Sequence, residues 1–109
     1  MQNELDQLVQ AIKDNYLDHM KRGKEDTVLE SHQLEMIETF NNNLEVTQGK
    51  KYFKIVNKRG GVWGFVVAVS NDAKFKLGDI LKPAGFNAPT RNFARGNISG
   101  AYNAHWTGA

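Results

Sequence analysis

Apolar residues near the start of the chain recur three and four positions apart, which is the spacing of one face of an α-helix. This stripe contains Leu5, Leu8, Val9, Ile12, Tyr16, Leu17 and Met20. Asn3 is a suitable N-cap before the stripe, and Gly23 is a suitable stop after it. The pattern predicts a first helix over about residues 4–22.

A second, shorter stripe follows at Leu34, Ile37 and Phe40. Thr27 and Glu30 have the spacing of a capping box, and three asparagines at 41–43 interrupt the stripe. The second helix is therefore predicted within residues 27–42, and the first part of the chain predicts a helical hairpin.

The period changes from Lys51 onward. The segments "KYFKIVN" and "VWGFVVAVS" are rich in β-branched and aromatic residues, and the "KRGG" between them permits a tight turn. They predict a β-hairpin with apolar side chains on both faces, with Trp63, Phe65 and Val67 sharing one face. One face is expected to pack on the helices, and the other to be covered by the end of the chain or by a partner.

The stretch "NAPTRNFARGNI" at 87–98 has the features of a short helix. Asn87 is a suitable cap, Pro89 fits the first turn, and Gly96 fits the end. In such a helix Arg91 and Arg95 lie one turn apart on one face. Two like charges at this spacing disfavour a helix by about 0.2–0.5 kcal/mol, so an anionic partner is expected opposite them.

Together these elements predict a single α+β domain over residues 1–109, with a helical hairpin packed on a small, curled antiparallel sheet. The segment "DILKPAG" predicts a third short strand that Pro83 ends or confines to an edge. The short helix and an ordered tail, held by Tyr102 and Trp106, complete this arrangement. A small SH3-like or OB-like barrel preceded by helices is the alternative.

Charge is distributed unevenly along the chain, although the net charge is only +2. Residues 1–50 hold ten acidic and five basic side chains, whereas residues 51–109 hold nine basic and two acidic ones, with nine of the eleven aromatic residues. The helical part, 1–45, is therefore acidic, and the β-rich part, 50–109, is basic and aromatic. Such a distribution is typical of a surface that binds an anionic partner.

The candidate binding residues are Lys54, Lys58, Arg59, Lys74, Lys76, Arg91, Arg95 and Trp106. In one interpretation, Arg91 and Arg95 pair with carboxylates of the helical hairpin and fasten the two parts of the chain together. In the other, the basic side chains follow a phosphate backbone while exposed aromatic rings stack on bases. Trp63 is expected in the core, whereas Trp106 either anchors the tail or contacts a partner.

The sequence gives little support for catalysis or for a cofactor. Cysteine is absent, and His19, His32 and His105 have no metal-ligand spacing. Asp79, between a glycine and "ILK", is expected to accept backbone hydrogen bonds in a turn. The acidic N-terminus is unlike a signal peptide, and no apolar run approaches the ~20 residues of a membrane span, so a soluble cytoplasmic protein is expected.

The words "KYFKIVN", "GGVWGFVV", "KFKLGDILKPAGFNAPTRNFARGNI" and "HWTG" resemble a family of small, uncharacterised proteins encoded by tailed bacteriophages. The resemblance covers roughly residues 50–108, with Phe86 where that family has tryptophan and Pro83 where alanine is commoner. It implies a small accessory protein acting in the cytoplasm of an infected bacterium, and it brings no activity.

Two classes of non-enzymatic function follow from these observations. The first is binding of nucleic acid through the basic aromatic half. The second is inhibition of a host enzyme or defence factor by the same surface, and a virion or assembly component is a further alternative. Exposed strand edges and a two-sided apolar hairpin are compatible with a homodimer.

Overall fold

A computed structural model of the chain describes residues 2–21 and 28–109. Helix α1, Gln2–Met20, buries the predicted stripe, with Leu5, Leu8, Ile12 and Tyr16 inside. The prediction of the first helix is therefore confirmed. Asn3 lies within the helix instead of capping it, and the predicted stop at Gly23 lies outside the described residues.

Helix α2, Ser31–Asn43, confirms the predicted second helix but includes the three asparagines, so it ends one residue beyond the predicted range. It begins after Glu30, whose backbone N–H donates to Gln33 Oε1 at 2.9 Å. The capping interaction thus joins Glu30 and Gln33, and the predicted cap Thr27 lies outside the described residues. No residue of α2 is fully buried, so this helix packs less deeply than α1.

Five antiparallel strands follow α2 in a sheet whose spatial order is the chain order. They are β1 (Leu44–Gln48), β2 (Tyr52–Asn57), β3 (Gly61–Val67), β4 (Asp79–Leu81) and β5 (Gly96–Asn97). The predicted hairpin is β2–β3, with Gly61 at a φ of 96° in its turn, and the predicted third strand is β4. The sheet is open, which favours the α+β arrangement over the barrel. β1 and β5 were not predicted.

A register shift in the β2–β3 hairpin changes which residues share a face. Val56 is opposite Val62, but Ile55 is opposite Gly64, so β3 contains one extra residue, Trp63. A bulge of this kind moves one side chain to the other face of a strand. The prediction that Trp63 shares a face with Phe65 and Val67 is therefore wrong.

The two faces of the sheet carry separate apolar clusters. On the inner face, α1 packs against a cluster that includes Ile55, Trp63, Val66, Ile80 and Ile98. On the outer face, Phe65, Val67 and Leu81 pack with Phe75 from the β3–β4 connection and with Ala94. Each fully buried side chain of this size stabilises the fold by about 1.5–3 kcal/mol. The outer face is thus covered by connecting segments and not by the tail.

The tail, residues 101–109, lies on the inner side. The Trp106 ring is 5.1 Å from Tyr16 and 6.3 Å from Phe40 between ring centroids, and its backbone N–H donates to Asn15 Oδ1. The indole N–H of Trp63 donates to the His105 carbonyl at 2.7 Å. Trp106 therefore anchors the tail to the helices, and Trp63 lies in the core as expected.

The predicted short helix at 87–96 is absent, and the segment is an extended loop. Its backbone donors are used elsewhere, because Thr90 N–H bonds to the Lys82 carbonyl and Arg95 N–H bonds to the Ile80 carbonyl. Gly96 then begins β5 instead of ending a helix. The prediction that Arg91 and Arg95 share a helix face is wrong.

Candidate nucleic-acid interface

A hairpin-like loop brings an aromatic ring over the outer face of β2. Residues 82–90 fold back on themselves, since Ala84 N–H bonds to the Ala88 carbonyl and Thr90 N–H to the Lys82 carbonyl. Phe86 and Asn87 form the tip of this loop, and Phe86 is 60% exposed. An aromatic side chain so open to solvent contributes little to the core and presents a π-face to a ligand.

Lys54, on the outer face of β2, holds the tip of the loop. Its ammonium group donates to the Phe86 carbonyl and to Asn87 Oδ1, both at 3.2 Å. It also lies 4.0 Å from the centroid of the Phe86 ring. All these partners are neutral, and Lys54 forms no ion pair with a carboxylate in the described part of the chain. Its positive charge is therefore not compensated by a carboxylate of the described residues.

Two concavities lie on either side of this contact, with volumes of about 270 and 320 Å³, and both include Thr47 and Lys54. The first is lined also by Gln48, Gly49, Lys50, Lys51, Tyr52, Phe65 and Asn87, and the second by Glu45, Val56, Asn57, Lys58, Gly61 and Phe86. We call the two together the lysine groove. The charge of Lys58 is only loosely engaged, since its ammonium is 3.7 Å from Glu45 and both side chains are exposed.

Arg91 is engaged by a carboxylate, but not by one from the helices. Its Nη2 donates to both carboxylate oxygens of Asp72 at 2.8 and 3.0 Å, and its Nη1 donates to the Tyr52 hydroxyl. The Asp72 side chain is only 1% exposed. The hydrogen bond from Arg91, followed by those from Lys74 and Phe75 N–H, holds the pKa of Asp72 well below its ordinary value.

Asp72 in turn raises the pKa of Arg91. Lys74 adds to this arrangement by donating from its ammonium to the Arg91 carbonyl at 2.6 Å. Arg91 and Lys74 thus tie the loop 91–95 to the β3–β4 connection beside the lysine groove. The expectation that Arg91 pairs with the helical hairpin is wrong.

The remaining predicted residues lie apart from the lysine groove. Arg95 is next to β5, at the opposite edge of the sheet from β1, with its guanidinium 4.1 Å from the Phe93 ring. Arg59 lines a different concavity, with Tyr16 and Met36 on the helix side. Lys76 is at the turn before β4, where its N–H donates to Asp79. The structure therefore divides the predicted patch and leaves Lys54 and Lys58 in the groove.

Four residues of the groove were not predicted as site residues: Phe86, Asn87, Lys50 and Lys51. Lys50 and Lys51 are in the turn between β1 and β2, where Gly49 N–H bonds to the Tyr52 carbonyl. The "QGKKY" stretch has a glycine typical of a turn, followed by two lysines. If β1 had been predicted, this turn between β1 and β2 would have placed Lys50 and Lys51 next to Lys54. Phe86 lies between Pro83 and Pro89, and no pattern in that stretch marks its side chain as exposed.

Several of the distinctive words of the sequence have a structural explanation. In "GDI", Asp79 accepts from Lys76 N–H and from the Asn97 side chain, as the turn interpretation predicts. In "GNI", Asn97 also donates to the Leu77 carbonyl, and Ile98 N–H bonds to the Gly78 carbonyl. The hydrogen bonds of these two motifs hold β4 and β5 together. They specify the fold and not a reactive site.

The described helices α1 and α2 are too short or too polar to cross a membrane. Among residues 2–21 and 28–109, no three His, Asp or Glu side chains are grouped as a metal site.

A comparison with curated proteins and one with solved structures each found no match. A protein-family model matches the chain over residues 1–108. The chain belongs to DUF7717, a family of unknown function.

Proposed function

We propose that this protein binds nucleic acid through the outer face of its sheet and has no enzymatic activity. The observation that carries the proposal is the arrangement in the lysine groove, where Lys50, Lys51 and Lys54 form no ion pair with a described carboxylate and Lys54 lies against the exposed ring of Phe86. Ammonium groups bind phosphates, and an exposed ring offers a stacking surface for a base.

The two carboxylates of residues 51–109 support this proposal because each is already engaged. Asp72 is bound by Arg91, and Asp79 by Asn97 and the Lys76 backbone. Lys50, Lys51 and Lys54 also form no ion pair with the described carboxylates of residues 1–50. Their charges are available to an external anion with closely spaced charges, which a nucleic acid provides.

The setting that we propose is the cytoplasm of an infected bacterium, where the protein acts as a bacteriophage accessory factor. This part rests on the sequence words that resemble those of small phage proteins. The lopsided charge of the chain supports an accessory role, in which the protein acts by occupying a nucleic acid.

The proposal predicts that the affinity for nucleic acid falls with salt. It also predicts that removing a cation of the lysine groove reduces this salt dependence, whereas removing a cation elsewhere does not. Replacing Lys51 by Ala removes one cation of the groove, and we expect the slope of log affinity against log salt to fall in magnitude by about 0.7–0.9. Fluorescence anisotropy with labelled single- and double-stranded DNA and RNA measures this slope.

The matched control is Lys13→Ala, which makes the same change in net charge on α1, on the inner side of the sheet. We expect this control to keep the slope of the unaltered protein. Equal slopes for the two variants, or binding that does not respond to salt, would contradict the proposal.

A second candidate function, the capture of a host protein, is favoured by a different observation. Leu34 and Met36 on α2 are 53% and 49% exposed, and exposed apolar side chains on one helix are common at protein interfaces. A stoichiometric partner recovered from nuclease-treated host lysate, and lost in Leu34→Ser/Met36→Ser, would favour this function. Recovery that disappears after nuclease treatment would instead favour nucleic acid.

A further inference from the structure

The chemistry of the lysine groove is different at its two ends, and this difference specifies the form of nucleic acid. We infer that the groove is a site for one unpaired nucleotide, with its phosphate at the Lys50 end and its base against Phe86. This inference rests on the proposed function. It adds that the protein binds single strands in preference to duplex.

The Lys50 end is built to donate hydrogen bonds. Lys50, Lys51 and Lys54 line it, together with the hydroxyl groups of Thr47 and Tyr52. The Tyr52 oxygen already accepts a hydrogen bond from Arg91, so the phenolic proton remains to be donated. Three ammonium groups and two hydroxyls suit a phosphate, whose oxygens only accept.

The Phe86 end is less basic and partly apolar. The Phe86 ring and Val56 line it, together with Thr47, Asn57 and the exposed Lys58–Glu45 pair, whose opposite charges make this end less basic than the other. Lys54 occupies one face of the ring, at 4.0 Å from its centroid. The ring is nevertheless 60% exposed, so another part of its surface is open to a base. Stacking on an aromatic ring is sequence-tolerant, because every base has a π-face.

Phosphate and base can occupy the two ends together because the ends share Thr47 and Lys54. In a duplex, the faces of each base are covered by the neighbouring base pairs, and exposing one costs a few kcal/mol. A single strand presents its bases without most of this cost. The groove therefore favours a single strand, whereas charge alone would favour the more highly charged duplex.

The test compares Phe86→Leu with the matched control Phe93→Leu. Phe93 is 54% exposed and also lies next to a cation, Arg95, but it lines neither concavity of the lysine groove. The probes are a labelled oligothymidine, an abasic oligomer of the same length, and a duplex, with affinity measured by anisotropy. Thermal melting checks that both variants are folded.

We expect the unaltered protein to bind the oligothymidine more tightly than the duplex and the abasic oligomer. Phe86→Leu should weaken oligothymidine binding about tenfold, leave the abasic oligomer unaffected, and keep the salt slope. Phe93→Leu should change little, and Phe86→Trp should restore or increase the affinity, since indole offers a larger stacking surface.

Two failures are distinguishable. If the protein binds all three probes in a salt-dependent way, with equal affinity and no effect of Phe86→Leu, the nucleotide site is overturned and the proposed function stands. If the unaltered protein binds none of the probes, the proposed function fails, and the nucleotide site fails with it.

Discussion

Replacing Gly96 by Ala is expected to lower the free energy of unfolding by about 2–6 kcal/mol, the largest loss that we predict for one methyl group in this protein. Gly96 has a φ of 151°, a conformation that residues with a side chain rarely adopt and that costs about 1–3 kcal/mol when they are held in it. Crowding adds to this strain.

The crowding arises where the tail turns back over β5. A Cβ on Gly96 would be 2.7 Å from both the Ala101 carbonyl oxygen and Tyr102 Cβ. These distances are shorter than real Cβ atoms accept, and the first involves backbone, which cannot rotate away. Gly96 also pairs with Ile80 of β4. Displacing it would loosen the edge of the sheet and the start of the tail together.

Urea denaturation measures the effect, with Gly100→Ala as the control. Gly100 lies four residues further along, its φ is not in the left-handed region, and the nearest atom to an added Cβ is the Asn97 carbonyl oxygen at 4.0 Å. We expect this control to stay within about 0.5 kcal/mol of the unaltered protein. Similar urea midpoints for the two variants would show that the geometry at Gly96 is not restrictive.

The parts of the fold that sequence could predict are those with a strong local period. The α1 stripe is regular over four turns, and all the residues that α1 buries belong to it. The hairpin is similarly marked by its glycines and β-branched residues. The extra residue at Trp63 was not predictable, because a bulge depends on how β3 packs against both β2 and α1 and leaves no pattern in β3 itself.

The segment 87–96 shows a local signal overridden by tertiary structure. Its asparagine, proline and glycine are well placed for a short helix, but a helix of this length gains little by itself. Hydrogen bonds to the carbonyls of Ile80 and Lys82 extend it alongside β4 instead. Nothing in the local sequence indicates these distant partners.

The proposed binding site could be predicted from the composition of the chain only coarsely. The charge distribution predicted that the basic half carries a cationic surface, but not which cations are neutralised. Arg91 and Lys54 are similar as sequence signals, yet Asp72 binds Arg91 and only neutral groups bind Lys54. That distinction depends on long-range contacts, so the cations that we propose for the nucleotide site could be distinguished from the neutralised ones only in the structure.

A second large effect is expected at the ion pair of Arg91 and Asp72, and it should be asymmetric. Arg91→Ala should lower the melting temperature by several degrees, because it leaves a carboxylate that is 1% exposed without its counterion. Asp72→Asn should cost less. Its amide oxygen still accepts from Lys74 and Phe75 N–H, and the Arg91 side chain, 39% exposed, remains solvated.

The pH dependence identifies the charge as the cause. The folded-state pKa of Asp72 lies below its unfolded value of about 3.9. Between these two values the unfolded chain binds more protons, so stability rises with pH. The contribution of Asp72 is therefore fully present above about pH 5 and is lost as the pH falls through the folded pKa. The raised pKa of Arg91 affects stability only at strongly alkaline pH.

Thermal melting across pH tests this assignment. The gap in melting temperature between the unaltered protein and Asp72→Asn should be constant from about pH 5 to pH 8 and should narrow below about pH 4. Arg95→Ala is the control, because Arg95 is an exposed arginine that stacks on Phe93 and forms no ion pair with a described carboxylate. We expect its melting temperature to stay close to that of the unaltered protein.

A gap that persists unchanged at low pH would show that Asp72 acts through packing and not through its charge. The same series separates stability from binding. If Arg91→Ala lowers both melting temperature and nucleic-acid affinity, while Lys51→Ala lowers affinity alone, then Arg91 acts by holding Tyr52 and the loops beside the groove. A direct phosphate contact by Arg91 would instead reduce the salt slope at temperatures where the variant is fully folded.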